Sequence, residues 1–144
     1  SLTPLLQQLT PRLSWWQGEH YTAATMGAAF VENYALAELL GPRGLCRSAD
    51  LALGILLLGP DTYYPPHYHP AEEGLYLLSG RGTWHLDRGP TISLPPGGVV
   101  HIPAGGAHAF WSFEAPMAAL YFCQGNVADL GRLAPPEGAA PRGR

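Results

Sequence analysis

The sequence predicts an all-β domain, and three observations carry that prediction. From residue 51 onward, short apolar stretches of strand length alternate with Gly- and Pro-rich turns, the pattern of a sandwich or barrel. Glycine (18) and proline (15) are both abundant, with 47% apolar and only 13% charged residues, a compact, turn-rich profile and not that of a disordered chain. The 144 residues suffice for one substantial core, and no internal repeat marks a second barrel.

Taken in order, residues 2–9 read as a short helix, with Thr3 as N-cap and Pro4 at the first helical position. Trp15 and Trp16 follow in a linker, placed to cover the barrel or a partner subunit. Residues 24–40 read as one long helix, rich in Ala, Leu and Glu, whose Phe30, Tyr34 and Ala37 pack on the sheet; Gly41-Pro42 stops it. A loop runs from Gly41 to Asp50. Leu51–Leu58 is a nearly continuous apolar run, hence a strand buried on both faces or at a subunit interface. After the turn at Gly59-Pro60-Asp61, Pro65-Pro66 forces extended backbone just before His67. Further strands are expected at Leu75–Leu78, Thr83–Leu86, Thr91–Leu94, Val99–Ile102, Ala109–Phe113 and Met117–Cys123, punctuated by turns such as Ser79-Gly80-Arg81-Gly82 and Pro95-Pro96-Gly97-Gly98. The expected organisation is a helical extension over 1–50, a barrel over 51–126 and a loose Pro/Gly/Ala/Arg tail over 127–144.

Composition also excludes functions. The net charge is −3 and no Lys/Arg cluster appears, so there is no electrostatic footprint for nucleic acid. No apolar run is long enough for a membrane-spanning helix. Cys46 and Cys123 form no CxxC and read as free thiols; with no signal peptide visible at the start, a cytoplasmic protein is expected.

The chemistry concentrates in HYHPAEEGLYLLSG (67–80) and PAGGAHAF (103–110). If the first segment is extended, His67, His69 and Glu73 share one face. Two imidazoles and a carboxylate make most of a first-row metal site, and His108 is the candidate fourth ligand. Burying these groups without a shared partner is costly, and a divalent metal removes the cost. Three nitrogens and one oxygen suit Fe, Zn, Mn, Ni, Co or Cu, and a catalytic site leaves a position open for water or substrate. His20, His85 and His101 stand outside the motifs, either at the surface or lining the pocket.

These motifs resemble those of the cupin family: His67, His69, Glu73 and Gly80 in the first, Gly97, Pro103, Gly105 and His108 in the second. The resemblance implies a single jelly-roll barrel with an N-terminal helical extension, and a homodimer as partner state. LALGILLLGPDTYYPPHYHPAEEGLYLLSGRGTWH and GGVVHIPAGGAHAFWS resemble, within the cupins, the dimethylsulfoniopropionate (DMSP) lyases. That likeness implies a divalent metal holding the substrate carboxylate, a tyrosine phenolate removing the adjacent proton, and release of dimethyl sulfide and acrylate. The family places a tyrosine two residues after the glutamate; here that position is Leu75, and Tyr76 is one residue further, facing away unless a bulge at Gly74 resets the phase. Tyr64, five residues before His69, matches the second family tyrosine and is the candidate base. Trp84, Tyr64, Phe110 and Trp111 are expected to line a small pocket suited to a sulfonium cation. Two alternatives share the same site: another metal-cupin enzyme, such as a dioxygenase or isomerase, or a non-catalytic cupin that binds a small ligand.

Overall fold

The computed structural model describes residues 3–87, 89–129 and 131–134. It begins with α1 (Thr3–Leu9), which continues into a 3-10 turn (Thr10–Arg12) started by Pro11. The cap expected at Thr3 lies outside the described side chains. Trp15–Trp16, expected as a linker, form a short strand, β1.

The long helix expected over residues 24–40 is replaced by three elements. Thr22 opens α2 (Ala23–Met26) with a reciprocal cap: Thr25 N–H donates to Thr22 Oγ1 (3.3 Å) and Thr22 N–H to Thr25 Oγ1 (2.9 Å). Gly27, at φ 85°, breaks the helix, and α3 (Ala28–Glu32) follows. Tyr34–Leu40 is then a strand, β2. Helix propensity over Ala35–Leu40 is overridden by pairing, because β3 (Leu51–Leu58) needs a neighbour on its outer edge and β2 supplies it. The alternation confirms the strand geometry. Tyr34, Leu36 and Glu38 face the barrel cavity, while Ala37 and Leu39 pack under Leu6, Leu13 and Trp15.

The remaining strands are β4 (Tyr63–Tyr68), β5 (Glu72–Ser79), β6 (Gly82–Leu86), β7 (Thr91–Leu94), β8 (Val99–Ile102), β9 (His108–Ser112), β10 (Met117–Gln124) and β11 (Arg132–Leu133). Their antiparallel pairing is nested: β6 with β7, β5 with β8, β4 with β9, and β3 with β10. This is a long ribbon folded over on itself, the jelly-roll arrangement. It yields a six-stranded sheet ordered β1-β2-β3-β10-β5-β8 and a five-stranded sheet ordered β11-β4-β9-β6-β7. Between them Trp84, Phe110, Leu58, Leu75, Leu77 and Met117 are almost wholly buried. Leu51 and Leu57, at the outer face of β3, stay exposed, while Ile55 is covered by the N-terminal segment.

Two further expectations are corrected. The segment after Asn126 is not loose throughout: Val127 is buried in the core, and β11 pairs with β4 beside His67 and Tyr68. Residues 135–144 of that tail lie outside the described residues. The loop from Gly41 to Asp50 carries one parallel bridge, Leu40 to Cys46. Among the described residues no helix is long and apolar enough to cross a membrane.

Gly54 shows how tightly the cavity face of the large sheet is packed. It sits between Ala37-Glu38 on β2 and Tyr121 on β10, and a Cβ there would run into the Ala37 carbonyl oxygen and the Tyr121 phenol. Gly54→Val should destabilise the protein by about 1–3 kcal/mol through overpacking, read as a lower urea midpoint at unchanged slope.

Candidate metal centre

Pro65 and Pro66 lie inside β4 and offer no N–H to the ladder. Tyr64 pairs with Phe110, and the next pair on β9 is His67 with His108, so two residues face one across a bulge. In a regular strand, residues 64 and 67 would point to opposite faces. The bulge turns both inward, and the Tyr64 and His67 rings stack with centroids 3.9 Å apart and planes 9° from parallel.

His67, His69 and Glu73 do not share one extended strand. The chain bends at Pro70 and Ala71 and passes from the small sheet into the large one, so Glu73 on β5 faces the histidines across the barrel. The Gly105 N–H donates to the His69 carbonyl (2.8 Å), which ties His69 to the loop leading to His108. His69, Glu73 and His108 come together, each offering a donor atom within 4.8 Å of the others. His67 stands at their side, outside that trio, with its ring centroid 4.0 Å from that of His108.

All three imidazoles are held the same way. Nδ1 of His67 lies 2.9 Å from the Pro65 carbonyl oxygen, that of His69 2.8 Å from the Ala71 carbonyl oxygen, and that of His108 3.0 Å from the Gly106 carbonyl oxygen. A carbonyl only accepts, so each Nδ1 carries the proton and each neutral ring presents its Nε2 lone pair. Nε2 of His108 is buried and has no hydrogen-bond partner. Glu73 Oε2 lies 3.2 Å from Nε2 of His69 and 3.6 Å from Nε2 of His108. Acceptors facing acceptors out of water repel unless a cation stands among them. A proton on His69 is one answer: burial lowers its pKa, but the hydrogen bond and charge of Glu73 outweigh that and raise it. His67 and His108 are pushed the other way by burial, well down for His67, which favours their neutral rings. The donor set and its orphaned nitrogen therefore fit a divalent first-row metal.

The cavity beside this cluster is lined by Tyr64 and Phe110, as expected, and by Trp16, Tyr34, Glu38 and Tyr121, none of which was expected in the pocket from the sequence. A period of two over Tyr34, Leu36 and Glu38 was the available signal, masked by the helix-forming composition of that stretch. Trp84 is a core residue and Trp111 stacks on Tyr63 at the outer face; neither lines the cavity. Nor do the outlying histidines: His101 is exposed and pairs with Glu72 (2.6 Å), His85 is exposed beside Thr91, and His20 is at the surface. The pairing of β5 with β10 is regular from Glu73 to Tyr76, with no bulge at Gly74, so Leu75 faces inward and Tyr76 outward.

The Tyr64 hydroxyl donates to the Tyr21 hydroxyl (2.9 Å) and lies 3.4 Å from that of Tyr34. Burial, reinforced by the two neighbouring phenols, pushes its pKa well above the usual tyrosine range.

A family model for dimethylsulfoniopropionate lyase matches residues 1–119. DMSP lyase DddQ from Ruegeria pomeroyi is 33% identical over 118 residues, 82% of this chain and 59% of that protein. Putative DMSP lyase DddL from Cereibacter sphaeroides is 37% identical over 79 residues, 55% of this chain and 32% of that one. The chain thus spans less than two thirds of the length of these curated relatives. The crystal structure of DddQ from Ruegeria pomeroyi superposes with a TM-score of 0.84 at 29% identity, covering 94% of this chain and 68% of that one. By sequence and by fold, the chain belongs to the DMSP lyase family.

Proposed function

We propose that this protein is a metal-dependent carbon–sulfur lyase that cleaves DMSP by β-elimination to dimethyl sulfide and acrylate. The observation that carries the reading is the buried His69–Glu73–His108 cluster, with its orphaned Nε2, at one end of an aromatic cavity. His67, His69, Glu73 and His108 would hold the metal, and their ligand types suit Fe, Zn, Mn, Ni, Co or Cu. When bound, a divalent metal supplies Lewis acidity that neutralises the substrate carboxylate and makes the adjacent C–H more acidic.

Tyr64 acts as the base: burial holds its phenol protonated, and the charge of a divalent metal beside His67, on which the Tyr64 ring stacks, would offset that and favour the phenolate. Its phenolate oxygen takes the proton from the carbon next to the carboxylate. The C–H electrons form the new C=C bond, and the C–S bond pair leaves with sulfur as neutral dimethyl sulfide. The proton gained by Tyr64 has an exit through the Tyr21 hydroxyl, and Tyr21 also borders a second cavity lined by Glu19 and His20. The stack on His67 fixes the Tyr64 ring, which limits the motion lost on reaction. Exposed Val99, Phe122 and Leu57 on the outer face of the large sheet suit a homodimer, and the free thiols of Cys46 and Cys123 suit a reducing cytoplasm.

One observation favours a different cupin reaction: Leu75 brings no hydroxyl to the cavity, and the Tyr64 phenol is bonded within a tyrosine cluster. Oxygen consumption with Fe(II), without dimethyl sulfide, is the signature of that case.

His69→Ala, Glu73→Gln and His108→Ala should each weaken metal binding by at least ~10–100-fold, the loss typical of even an outer-shell partner, measured as metal content per chain after dialysis. Protein reloaded in turn with Fe(II), Mn, Co, Ni and Zn should release dimethyl sulfide from DMSP with at least one of them. Tyr64→Phe should cut kcat by about 100-fold or more, the range of a general base, and Leu75→Tyr should raise activity by adding a second phenol to the cavity face. A protein that holds its metal and releases nothing from DMSP overturns the lyase reading.

A further inference from the structure

Glu38 is a carboxylate inside the barrel, 6% exposed, with no ion-pair partner among the described residues. Its Oε1 accepts the Arg43 backbone N–H (2.5 Å), while the Arg43 guanidinium lies over the Trp16 ring, 5.1 Å from its centroid. Burying a carboxylate without a counter-charge is expensive, and a cation placed in the cavity would offset that cost. Aromatic side chains border it. Tyr121 Oη and Trp16 Nε1 line the same cavity and are buried with no hydrogen-bond partner. The Tyr121 phenol lies over Gly54, whose neighbour on β2 is Glu38. Tyr34, four residues before Glu38 on the same face of β2, lies at the Tyr64 end, its hydroxyl 3.4 Å from that of Tyr64.

This end of the cavity is thus one carboxylate set among aromatic rings, which is the chemistry that recognises a compact, methylated organic cation. The metal-ligand end is opposite. Glu73 is on β5 and Glu38 on β2, three strands apart in the order β2-β3-β10-β5. At ~4.8 Å per strand the two backbones are ~14 Å apart, and both side chains project inward. The gap between them suits a short chain with an anion at one end and a cation at the other.

We propose that Glu38, with Trp16 and Tyr121, forms a cation subsite that binds the onium group of the substrate and selects zwitterions over carboxylates that carry no cation. The identification of that group as a sulfonium rests on the lyase reading; the subsite itself accepts any trimethylammonium-like or dimethylsulfonium-like cation. The kinetic consequence follows from charge. As the C–S bond breaks, sulfur loses its positive charge, so Glu38 attracts the ground state more than the transition state. Glu38 is therefore a binding residue whose loss raises KM and does not lower kcat.

The test compares 3-(trimethylammonio)propanoate with its isostere 4,4-dimethylpentanoate, in which an uncharged tert-butyl group replaces the onium, titrated against metal-loaded wild type and Glu38→Gln by calorimetry. Glutamine keeps the volume and can still accept the Arg43 N–H. Wild type should prefer the cation by at least about 10-fold, and Glu38→Gln should bring the two ligands to within about 2-fold without weakening the isostere. With DMSP, Glu38→Gln should raise KM by about 10-fold at undiminished kcat. A wild-type preference under about 2-fold overturns the proposal whatever the variant does, and so does a full preference retained by folded Glu38→Gln. Discrimination without dimethyl sulfide release would sink the lyase reading and leave the subsite standing. Release without discrimination would do the reverse.

Discussion

Two imidazole lone pairs and a carboxylate oxygen crowd together in a largely buried corner of the cavity, an arrangement that a cation stabilises. The rest of the site depends on it. His69 and His108 come from one sheet and its loop, Glu73 from the other, so a cation shared among them would link the two faces of the barrel where β4 and β5 part. The backbone prepares the linkage by fixing each Nδ1–H on a carbonyl two residues away in sequence, which leaves Nε2 as the free donor. The Gly105–His69 hydrogen bond then holds the two histidine-bearing segments in register.

The cavity is polar at its two ends and aromatic between. A regular β4 would have put Tyr64 and His67 on opposite faces; the Pro65-Pro66 bulge puts a phenol against a ligand ring instead. On the large sheet, Gly54 gives up its side chain so that the Tyr121 phenol can lie across β3 toward Glu38. On the proposed reading, a zwitterion entering such a cavity has one orientation that matches charge at both ends, which would place the carbon next to its carboxylate on the His69–Glu73–His108 side with Tyr64.

Much of this was legible in the sequence, for identifiable reasons. β3, β7 and β8 begin and end where the apolar runs and Gly/Pro turns put them, because in each case the turn chemistry and the alternation agree. The ligand candidates were legible from spacing, and the outward turn of Tyr76 from strand period alone. What the sequence hid was long-range. Ala35–Leu40 is helix-forming by composition and becomes a strand only because β3 requires a neighbour. Arg132–Leu133 pairs with β4 from a stretch too short and too rich in Gly, Pro and Ala to signal a strand. Glu38 and Tyr121 became visible as cavity residues only once β2 and β10 were placed, one on each side of β3.

The proposed elimination removes a proton from the carbon beside the carboxylate as the sulfide is lost. Proton NMR of the products from DMSP deuterated at that carbon, turned over by the metal-loaded protein, distinguishes it from its competitor. Elimination gives acrylate that has lost one of the two deuterons, formed more slowly than from unlabelled DMSP. Formation of 3-hydroxypropanoate with both deuterons retained would mean that water displaces the sulfide at the neighbouring carbon. That result would contradict the elimination and the part given to Tyr64.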